Sequence, residues 1–469
     1  MKKLIAQFID RLLVAFTVSI VVSIAGCAIS KPPAQTKILT DALPSNAVVP
    51  ETWVSGNDTN KVSNEWLLSF NDPGLDTIVA EAMLNNLDLR KAATTVEIAR
   101  QNVIVVASKM KVQVGADLGY NVEADDGQSG IYGSSKALGL VNWEPDIWGK
   151  LRAQKSSAEA GLQATALDFA YARQSLAATT AKSWYLTIET IQLEAIAKQV
   201  VKIYTDILNV VKTRRRLGKV SDLDVVEAKS NLNAAQNSLV RATGLVSEAR
   251  RNLETLIGRY PAAEIKTAEK FSPLPPPVAA SLPFQLLLRR PDLLEAEQQV
   301  LVAFRNEEVT RLDLLPSFSL NLGAGRLSDA VVSLLKLNPW LILGGIGVQV
   351  PVYTGGNLQA RVKIATAKQE AAIANYGIVV LRAFKEVEND LMNEDLLAQR
   401  LKYEEEVLVD RNESVRIATY QYQAGSIDLL SLLQLQNAQI VSQVEVVKIR
   451  TQQLTNRINL HLALGGSFD

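Results

Sequence analysis

The 469-residue chain has one cysteine and one histidine. A single cysteine excludes an internal disulfide framework and any cysteine-rich metal site. A single histidine, His461, excludes zinc sites built on two or three imidazoles. An excess of either charge is also missing: 49 Lys and Arg balance 49 Asp and Glu. That balance disfavours nucleic acid, whose phosphates need a basic face. No Ser/His/Asp set, phosphate loop or clustered metal ligands can be read along the chain. Beyond residue 30 there is no apolar run of about 20 residues, the length of a membrane-crossing helix. Yet 48% of residues are hydrophobic and the mean hydropathy is +0.08. A chain this apolar without a spanning helix is consistent with insertion as strands.

What is present begins at the N-terminus. Lys2, Lys3 and Arg11 precede a short apolar core, Leu12–Ile24, which ends in Ile24-Ala25-Gly26-Cys27. Charge, apolar core and small residues make residues 1–26 a secretory signal. The string resembles the lipobox of bacterial lipoproteins, in which Cys27 becomes the new N-terminus. The resemblance implies a covalent lipid on Cys27, a diacylglycerol plus an N-acyl chain, and no other cofactor. Ala28, where an Asp would suggest inner-membrane retention, implies sorting to the outer membrane. Each buried CH₂ of an acyl chain contributes about 0.8 kcal/mol, so two or three chains anchor firmly.

An internal repeat organises the rest. Asn86–Leu89 is echoed by Arg290–Leu293, and Val114–Gly119 by Phe318–Gly323, both 204 positions later. Gly149–Leu151 returns as Gly356–Leu358 at an offset of 207, which then holds for Leu217-Gly218 with Ala424-Gly425 and for Leu256–Gly258 with Ala463–Gly465. The expected organisation is a signal peptide (1–26), an N-terminal anchor and linker (27–75), a first repeat (76–260), a proline-rich linker (261–284) and a second repeat (285–469).

Within each repeat the period changes. Residues 76–110 carry apolar side chains at helical spacing. From Val112 the period becomes two: Val112, Val114, Ala116, Leu118 and Tyr120 alternate with Gln113, Gly115, Asp117 and Gly119. Phe318, Leu320, Leu322 and Ala324 alternate with Ser319, Asn321 and Gly323 in the second repeat. Returning strands are expected at about 137–146 and 340–352, joined by loops over 124–136 and 326–339. Strands of about ten residues with one apolar and one polar face suit a barrel wall around a wet lumen. Trp143, Trp148 and Trp340 lie near strand ends, where interfacial aromatics collect. Four strands are too few to close a barrel, and an open edge in lipid leaves peptide groups unpaired. Copies must therefore pool strands: a dimer gives about eight, a trimer about twelve and a tetramer about sixteen.

The remainder is long helix, Lys150 to about Leu217 and Asn357 to Ala424, each followed after a glycine by a returning helix, Leu223–Leu256 and Leu429–Leu464. At 1.5 Å per residue the longer ones reach about 100 Å. Abundant alanine and apolar repeats near 3.5 residues suit coiled-coil seams.

Several strings now carry a family resemblance: Trp66–Asp76 (WLLSFNDPGLD), Asn86–Arg90 (NLDLR), Trp143–Arg152 (WEPDIWGKLR), Arg289–Glu297 (RRPDLLEAE), Val350–Gly356 (VPVYTGG) and Phe384–Asp390 (FKEVEND). The chain resembles an outer-membrane efflux factor of the TolC-like group, in the lipoprotein branch that serves RND-type drug pumps. The resemblance covers nearly all of the mature chain. It implies a mainly α protein with a membrane β part: a long coiled helical barrel plus four transmembrane β-strands per protomer, two internal repeats, and a trimeric 12-strand barrel. It further implies a homotrimer in the outer membrane of a Gram-negative bacterium, in contact with outer-membrane lipid, with its helical part in the periplasm. A periplasmic adaptor (membrane fusion) protein and an inner-membrane pump are the implied partners. The function is then passive conduction of drugs or other small molecules, not an enzyme's reaction.

The two helix–turn–helix tips, Arg216-Leu217-Gly218 and Gln423-Ala424-Gly425, match the family's adaptor-docking ends, although glycine also ends helices without any partner. Asp224 and Tyr422 match positions that hold such a tip closed by hydrogen bonds between neighbouring hairpins. Asp224 also reads as a solvated helix-start residue. Ser431 and Gln434 stand where some relatives carry acidic residues, so an acidic ring is not expected. His461 reads as a packed residue near a helix end. Arg289, Arg290 and Asp292 read as helix-start chemistry around Pro291. Two alternatives stay open: a periplasmic coiled-coil adaptor or scaffold lipoprotein, and an outer-membrane exit duct for protein secretion.

Overall fold

A computed structural model of the chain describes residues 30–56, 64–124, 131–328 and 341–468. Cys27 lies outside these residues, as do 125–130 and 329–340, which hold much of the two expected loops and Trp340.

The first element is α1 (Gln35–Ala42), followed by a 3₁₀ turn at Trp66–Phe70 and α2 (Pro73–Asn85). Asp72 caps α2, its carboxylate accepting from Gly74 N and Leu75 N, with Pro73 at the first helical position where its missing N–H is not needed. Next come α3 (Leu87–Ser108), β1 (Gln113–Ala124), β2 (Ile131–Trp143), α4 (Lys150–Arg216) and α5 (Asp222–Leu256). The second repeat follows a short helical turn, α6 (Pro283–Leu286): α7 (Pro291–Leu312), β3 (Ser317–Ser328), β4 (Leu341–Gln349), α8 (Asn357–Ala424) and α9 (Leu429–Ala463).

Two boundaries differ from the sequence reading. Residues 76–110 do not form one helix, because Asn86 is extended (φ −65°, ψ 127°) and ends α2. Its side chain serves both sides of the break: Oδ1 accepts from Leu89 N at 2.9 Å, and Nδ2 donates to the Leu256 carbonyl at 2.9 Å. Strand β2 begins at Ile131, earlier than expected, because its antiparallel register with β1 continues outward to Ala124↔Ile131.

The chain forms two compact units. One comprises the described residues of Met1–Ser45 with Thr95–Ala166 and Glu295–Ile378; the other comprises Asn46–Thr94, Leu167–Leu294 and Val379–Asp469. The first contains the four-stranded antiparallel sheet, in the order β1-β2-β3-β4. At the helix-bearing end of that sheet, Trp148 Nε1 donates to the Pro316 carbonyl at 2.7 Å, and Lys150 pairs with Asp313 at 2.8 Å. These contacts tie the β2–α4 connection to the α7–β3 connection.

Among its described residues, the second unit includes the following two apolar cores. One gathers Trp66, Phe70 and Leu75 against Ala177, Ala178, Ala181, Trp184 and Tyr185 of α4 and Leu253 of α5. The three alanines are fully buried, so side-chain bulk does not hold neighbouring elements away from α4. The other gathers Tyr204, Leu208 and Val211 of α4 with Ala228 of α5, Ala418 and Tyr422 of α8 and Leu432 of α9.

Candidate functional site

Two places combine exposed surface with specific chemistry: the sheet and the pair of helix–turn–helix tips. On the sheet, directly paired residues share a face. Gln113 pairs with Asn142, Asn142 with Asn321, and Ser317 with Gln349, so one face carries these amides and hydroxyls. Asp117 and Lys136 lie on the same face and form an ion pair at 2.6 Å. The other face presents Val114, Leu118 and Tyr120 of β1, Leu322 of β3 and Ile342, Ile346 and Val348 of β4, all exposed. The separation is not complete, since Leu138 and Leu140 stand on the polar face beside Asp117 and Gly115. With β1 and β4 outermost, each leaves one edge without a partner strand among the described residues. An exposed apolar face ending in two open edges is a surface that water does not favour and that pairing with another chain completes.

The tips are built by local chemistry. Helix α4 ends at Gly218, which takes φ +71°, while Lys219 N donates back to the Arg214 carbonyl at 2.9 Å. A residue with positive φ followed by this backward bond is the helix ending that glycine allows most cheaply. Helix α5 then starts with a capping box: Ser221 Oγ accepts from Asp224 N at 3.3 Å, and Asp224 Oδ2 accepts from Ser221 N at 2.7 Å. Arg215 and Asp222 form a bidentate pair at 2.7 Å that lowers the Asp222 pKa. The second tip repeats the turn, with Gly425 at φ +85° and Ser426 N donating to the Gln421 carbonyl at 2.8 Å. Asp428 caps α9 by accepting from Ser431 N at 2.7 Å, and the Ser431 hydroxyl together with that N–H lowers its pKa.

The candidate residues therefore sit in different surroundings. Arg216, Leu217, Gly218, Gln423, Ala424 and Gly425 all lie at the exposed turns, where Leu217 is 66% exposed. Asp224 is half-buried and engaged with Ser221 of its own chain in the capping box of α5. Tyr422 is only 3% exposed, packed in the second apolar core, and its hydroxyl has no hydrogen-bond partner among the described residues. Burial raises the Tyr422 pKa, so the phenol remains protonated at neutral pH.

One residue the sequence reading missed joins the two tips. Arg214 donates through Nη1 to the Tyr422 carbonyl, and its guanidinium lies 4.7 Å from the centre of the Tyr422 ring. A side chain on Gly425 would meet Arg214 Nη2 at 3.3 Å, so the small residue at the second turn also leaves room for the arginine. The only advance signal was three consecutive arginines, Arg214–Arg216, ending a long helix. Basic residues favour helix C-termini in general, which concealed the specific contact.

Other polar residues prove to be internal. Arg290, read as helix-start chemistry, is 1% exposed and pairs with Asp292 at 2.7 Å and Glu386 at 2.8 Å. Pro291 does open α7, yet the Asp292 carboxylate is held by Arg290 as well as by the first turn of the helix. His461 is buried and stacks on Trp66 with centroids 5.5 Å apart. Among the described residues, no group of His, Cys, Asp and Glu could hold a metal ion, and no helix is long and apolar enough to cross a membrane.

The chain matches the family described as "Outer membrane efflux protein" over residues 78–259 and 282–466. It is 29% identical to the pyoverdine export outer membrane protein OpmQ of Pseudomonas aeruginosa, covering 91% of this chain and 93% of that protein. It is 27% identical to the toluene efflux pump outer membrane protein TtgC of Pseudomonas putida, covering 88% of this chain and 87% of the relative. It is 25% identical to the probable outer membrane lipoprotein SilC of Salmonella typhimurium, covering 96% and 98%. Among solved structures, the outer-membrane channel OprN superposes with a TM-score of 0.81 at 22% identity, covering 94% of this chain and 99% of that one. The open state of the Neisseria gonorrhoeae MtrE channel gives 0.79 at 22% identity, with coverage of 94% and 99%.

Proposed function

The chain belongs to the outer membrane efflux protein family, as an outer-membrane channel of an efflux system, and on that premise we propose that three copies join into one conduit that carries small molecules passively outward. The observation that carries the assembly is the open sheet, and the family resemblance selects three copies from the two, three or four that strand number allows. Its exposed apolar face and two unpaired edge strands call for neighbours. Three four-stranded sheets give a twelve-stranded wall, with the face of Asp117, Lys136, Asn142 and Asn321 turned to a wet lumen and the face of Leu118, Leu322 and Ile346 turned to lipid. Edge closure removes the unpaired N–H and C=O groups, each costing several kcal/mol in a bilayer.

In this reading the helices extend the conduit through the periplasm. An adaptor protein docks on Arg216, Leu217, Gly218, Gln423, Ala424 and Gly425, and an inner-membrane pump supplies the energy. Exposed Leu217, Leu223 and Leu430 around the turns give such a partner apolar contacts. Asp224 and Tyr422, with Arg214, hold the resting tip. Cys27 carries the acyl anchor, a reading supported by the lipobox and by the relative named as a lipoprotein. The subunit performs no chemistry. Pyoverdine and toluene, named for two relatives, suggest small-molecule cargo.

The test is cross-linking of the full chain purified from outer membranes, followed by conductance in planar bilayers. Cross-linked trimers and discrete conductance steps are expected. A monomer without conductance overturns the proposal.

A further inference from the structure

Ser30, the first described residue, belongs to no helix or strand, yet both its peptide groups are satisfied. Its N–H donates to Glu308 Oε1 at 2.7 Å, and its carbonyl accepts from Arg305 Nη1 at 2.8 Å. The two side chains also bind each other at 2.7 Å across one turn of α7. Arg305 is 9% exposed, with its guanidinium 5.4 Å from the centre of the Phe304 ring. A charge pair, its arginine buried and its glutamate half-buried, turned onto a single residue outside regular structure forms a seat for that residue. Charge-assisted hydrogen bonds of this kind are about twice as strong as neutral ones.

The next fixed point gives the chain a direction. Gln35 Nε2 donates to Glu297 Oε2 at 2.9 Å, and Ile38 is 1% exposed in α1. Gln35 lies five positions after Ser30, and Pro32 and Pro33 between them favour extended backbone. Extended, they span about 17 Å. The 11-residue step from Glu297 to Glu308 along α7 rises about 16 Å. The segment therefore runs along α7, and followed backwards from Ser30 it points towards the helix end that leads into β3. Leu312, the last residue of α7, is one turn beyond Glu308, and Ser317 opens β3.

Cys27 stands three residues before Ser30, a reach of about 10 Å. We propose that Arg305 and Glu308 form the seat of the N-terminal tether and thereby fix where the acyl chains of Cys27 enter the membrane, beside the start of β3. The inference rests on the reading that Cys27 is acylated, and it adds a positioning role for two residues outside the lipobox. The seat sets the register between anchor and sheet: lipid and strands meet the same leaflet because one pair of side chains holds the intervening chain.

The test uses the full chain expressed in cells fed a photoactivatable diazirine palmitate, with cross-linked peptides and lipids identified by mass spectrometry. In the unmodified protein, acyl cross-links are expected mainly on its own residues 313–322. The double variant Arg305→Ala/Glu308→Gln should lower that yield at least threefold and move cross-links to phospholipid, with palmitate per chain unchanged. A ten-residue Gly/Ser insertion between Ala28 and Ile29 keeps the seat and all packed residues, and it should release the anchor in the same way. Unchanged cross-linking in both variants overturns the seat. Absence of palmitate from the unmodified chain, as from Cys27→Ala, overturns instead the acylation on which it rests.

Discussion

In the first repeat, Asn86 reaches the final turn of the repeat's last helix, donating to the Leu256 carbonyl. In the second, 204 positions later, Arg290 makes the corresponding bond to the Ala463 carbonyl. The backbone acceptor is the same in both, since Leu256 and Ala463 correspond at the offset of 207. The donor has changed from a neutral amide to a guanidinium, and the change brought obligations. Arg290 is fully enclosed and needs Asp292 and Glu386 to balance it, whereas Asn86 needs no counter-charge. Burial by itself would lower the Arg290 pKa, but the two carboxylates outweigh it and raise the value. Duplication thus kept the contact and let its chemistry drift.

The largest expected effect comes from breaking that buried pair. Arg290→Met leaves the Asp292 carboxylate without its buried partner and should cost about 3–5 kcal/mol. Asn86→Ala removes neutral hydrogen bonds and should cost about 1–2 kcal/mol. Denaturation of the purified protein in detergent measures both. Equal losses would show that the two donors are equivalent despite their charge.

A second pair of equivalent positions differs in its response to acid. Glu254 is buried and accepts from the N–H groups of Ala263, Glu264 and Ile265 at 2.7–2.9 Å. Burial would raise its pKa, but the three donors outweigh burial and hold the carboxyl below its ordinary value. Its counterpart 207 positions on is His461, whose pKa burial lowers to about 3, with Arg457 adding repulsion. Both groups are depressed, so each contributes stability that is present above its unfolded pKa and lost on acidification. The windows differ. His461 acts from about pH 6.5 down to about 3, at up to about 1.4 kcal/mol per pH unit, whereas Glu254 acts only below its ordinary value near 4.5. Between pH 6 and pH 5, His461→Phe should therefore remove about 1 kcal/mol of acid sensitivity, and Glu254→Gln should leave that sensitivity in place. Stability measured at the two pH values decides. A His461→Phe protein as acid-sensitive as its parent refutes the assignment.

The tips are a third contrast. Arg214 in the first repeat corresponds to Gln421 in the second, and only the arginine crosses to the other hairpin. Arg214→Ala should raise single-channel conductance in planar bilayers at least twofold, through loss of a contact of about 1 kcal/mol and its hydrogen bond. Gln421→Ala should leave conductance near its starting value. Asp224→Ala should fall between the two, and Tyr422→Phe should change least, since its hydroxyl has no partner among the described residues. An unaltered Arg214→Ala channel removes the residue from the resting tip.

These contrasts also mark what could be read from the sequence. The long helices could, because glycine and a following polar cap bracket each one: Gly218 with Ser221, Gly425 with Asp428. The strands of each repeat could where residue types alternate, as in β1 and β3. Strand β2 alternates poorly around Lys136–Leu140, and its start is set by pairing with β1, which a local pattern does not contain. The break at Asn86 was hidden because its partner, Leu256, lies 170 residues away. Arg214 and Tyr422 are 208 residues apart, and Arg290 and Glu386 are 96 apart. Exposed caps and turns are decided by neighbours in sequence, whereas buried charges are decided by whatever the fold brings near them.

The smallest effect concerns the starts of the two long helices. Asp146 accepts from Leu151 N at 2.9 Å and Arg152 N at 3.0 Å, satisfying two donors that a helix start leaves open. The equivalent residue before α8 is Tyr353, which is 89% exposed and has no carboxylate to offer. The glycines that enter the two helices, Gly149 and Gly356, share a positive φ near +82°, so the backbone turn is common to both repeats and only the cap is missing. Asp146→Ala should therefore destabilise the protein by about 1 kcal/mol. Tyr353→Asp should restore the cap and complement the helix dipole, stabilising by about 0.5–1 kcal/mol. The gain should shrink as pH falls through the new carboxyl's pKa, because a protonated acid answers the dipole less well. A Tyr353→Asp protein with no gain at pH 7 would mean that the open N–H groups of α8 are already satisfied in the assembled protein. The two repeats would then differ in what surrounds this turn, and not in the cap alone.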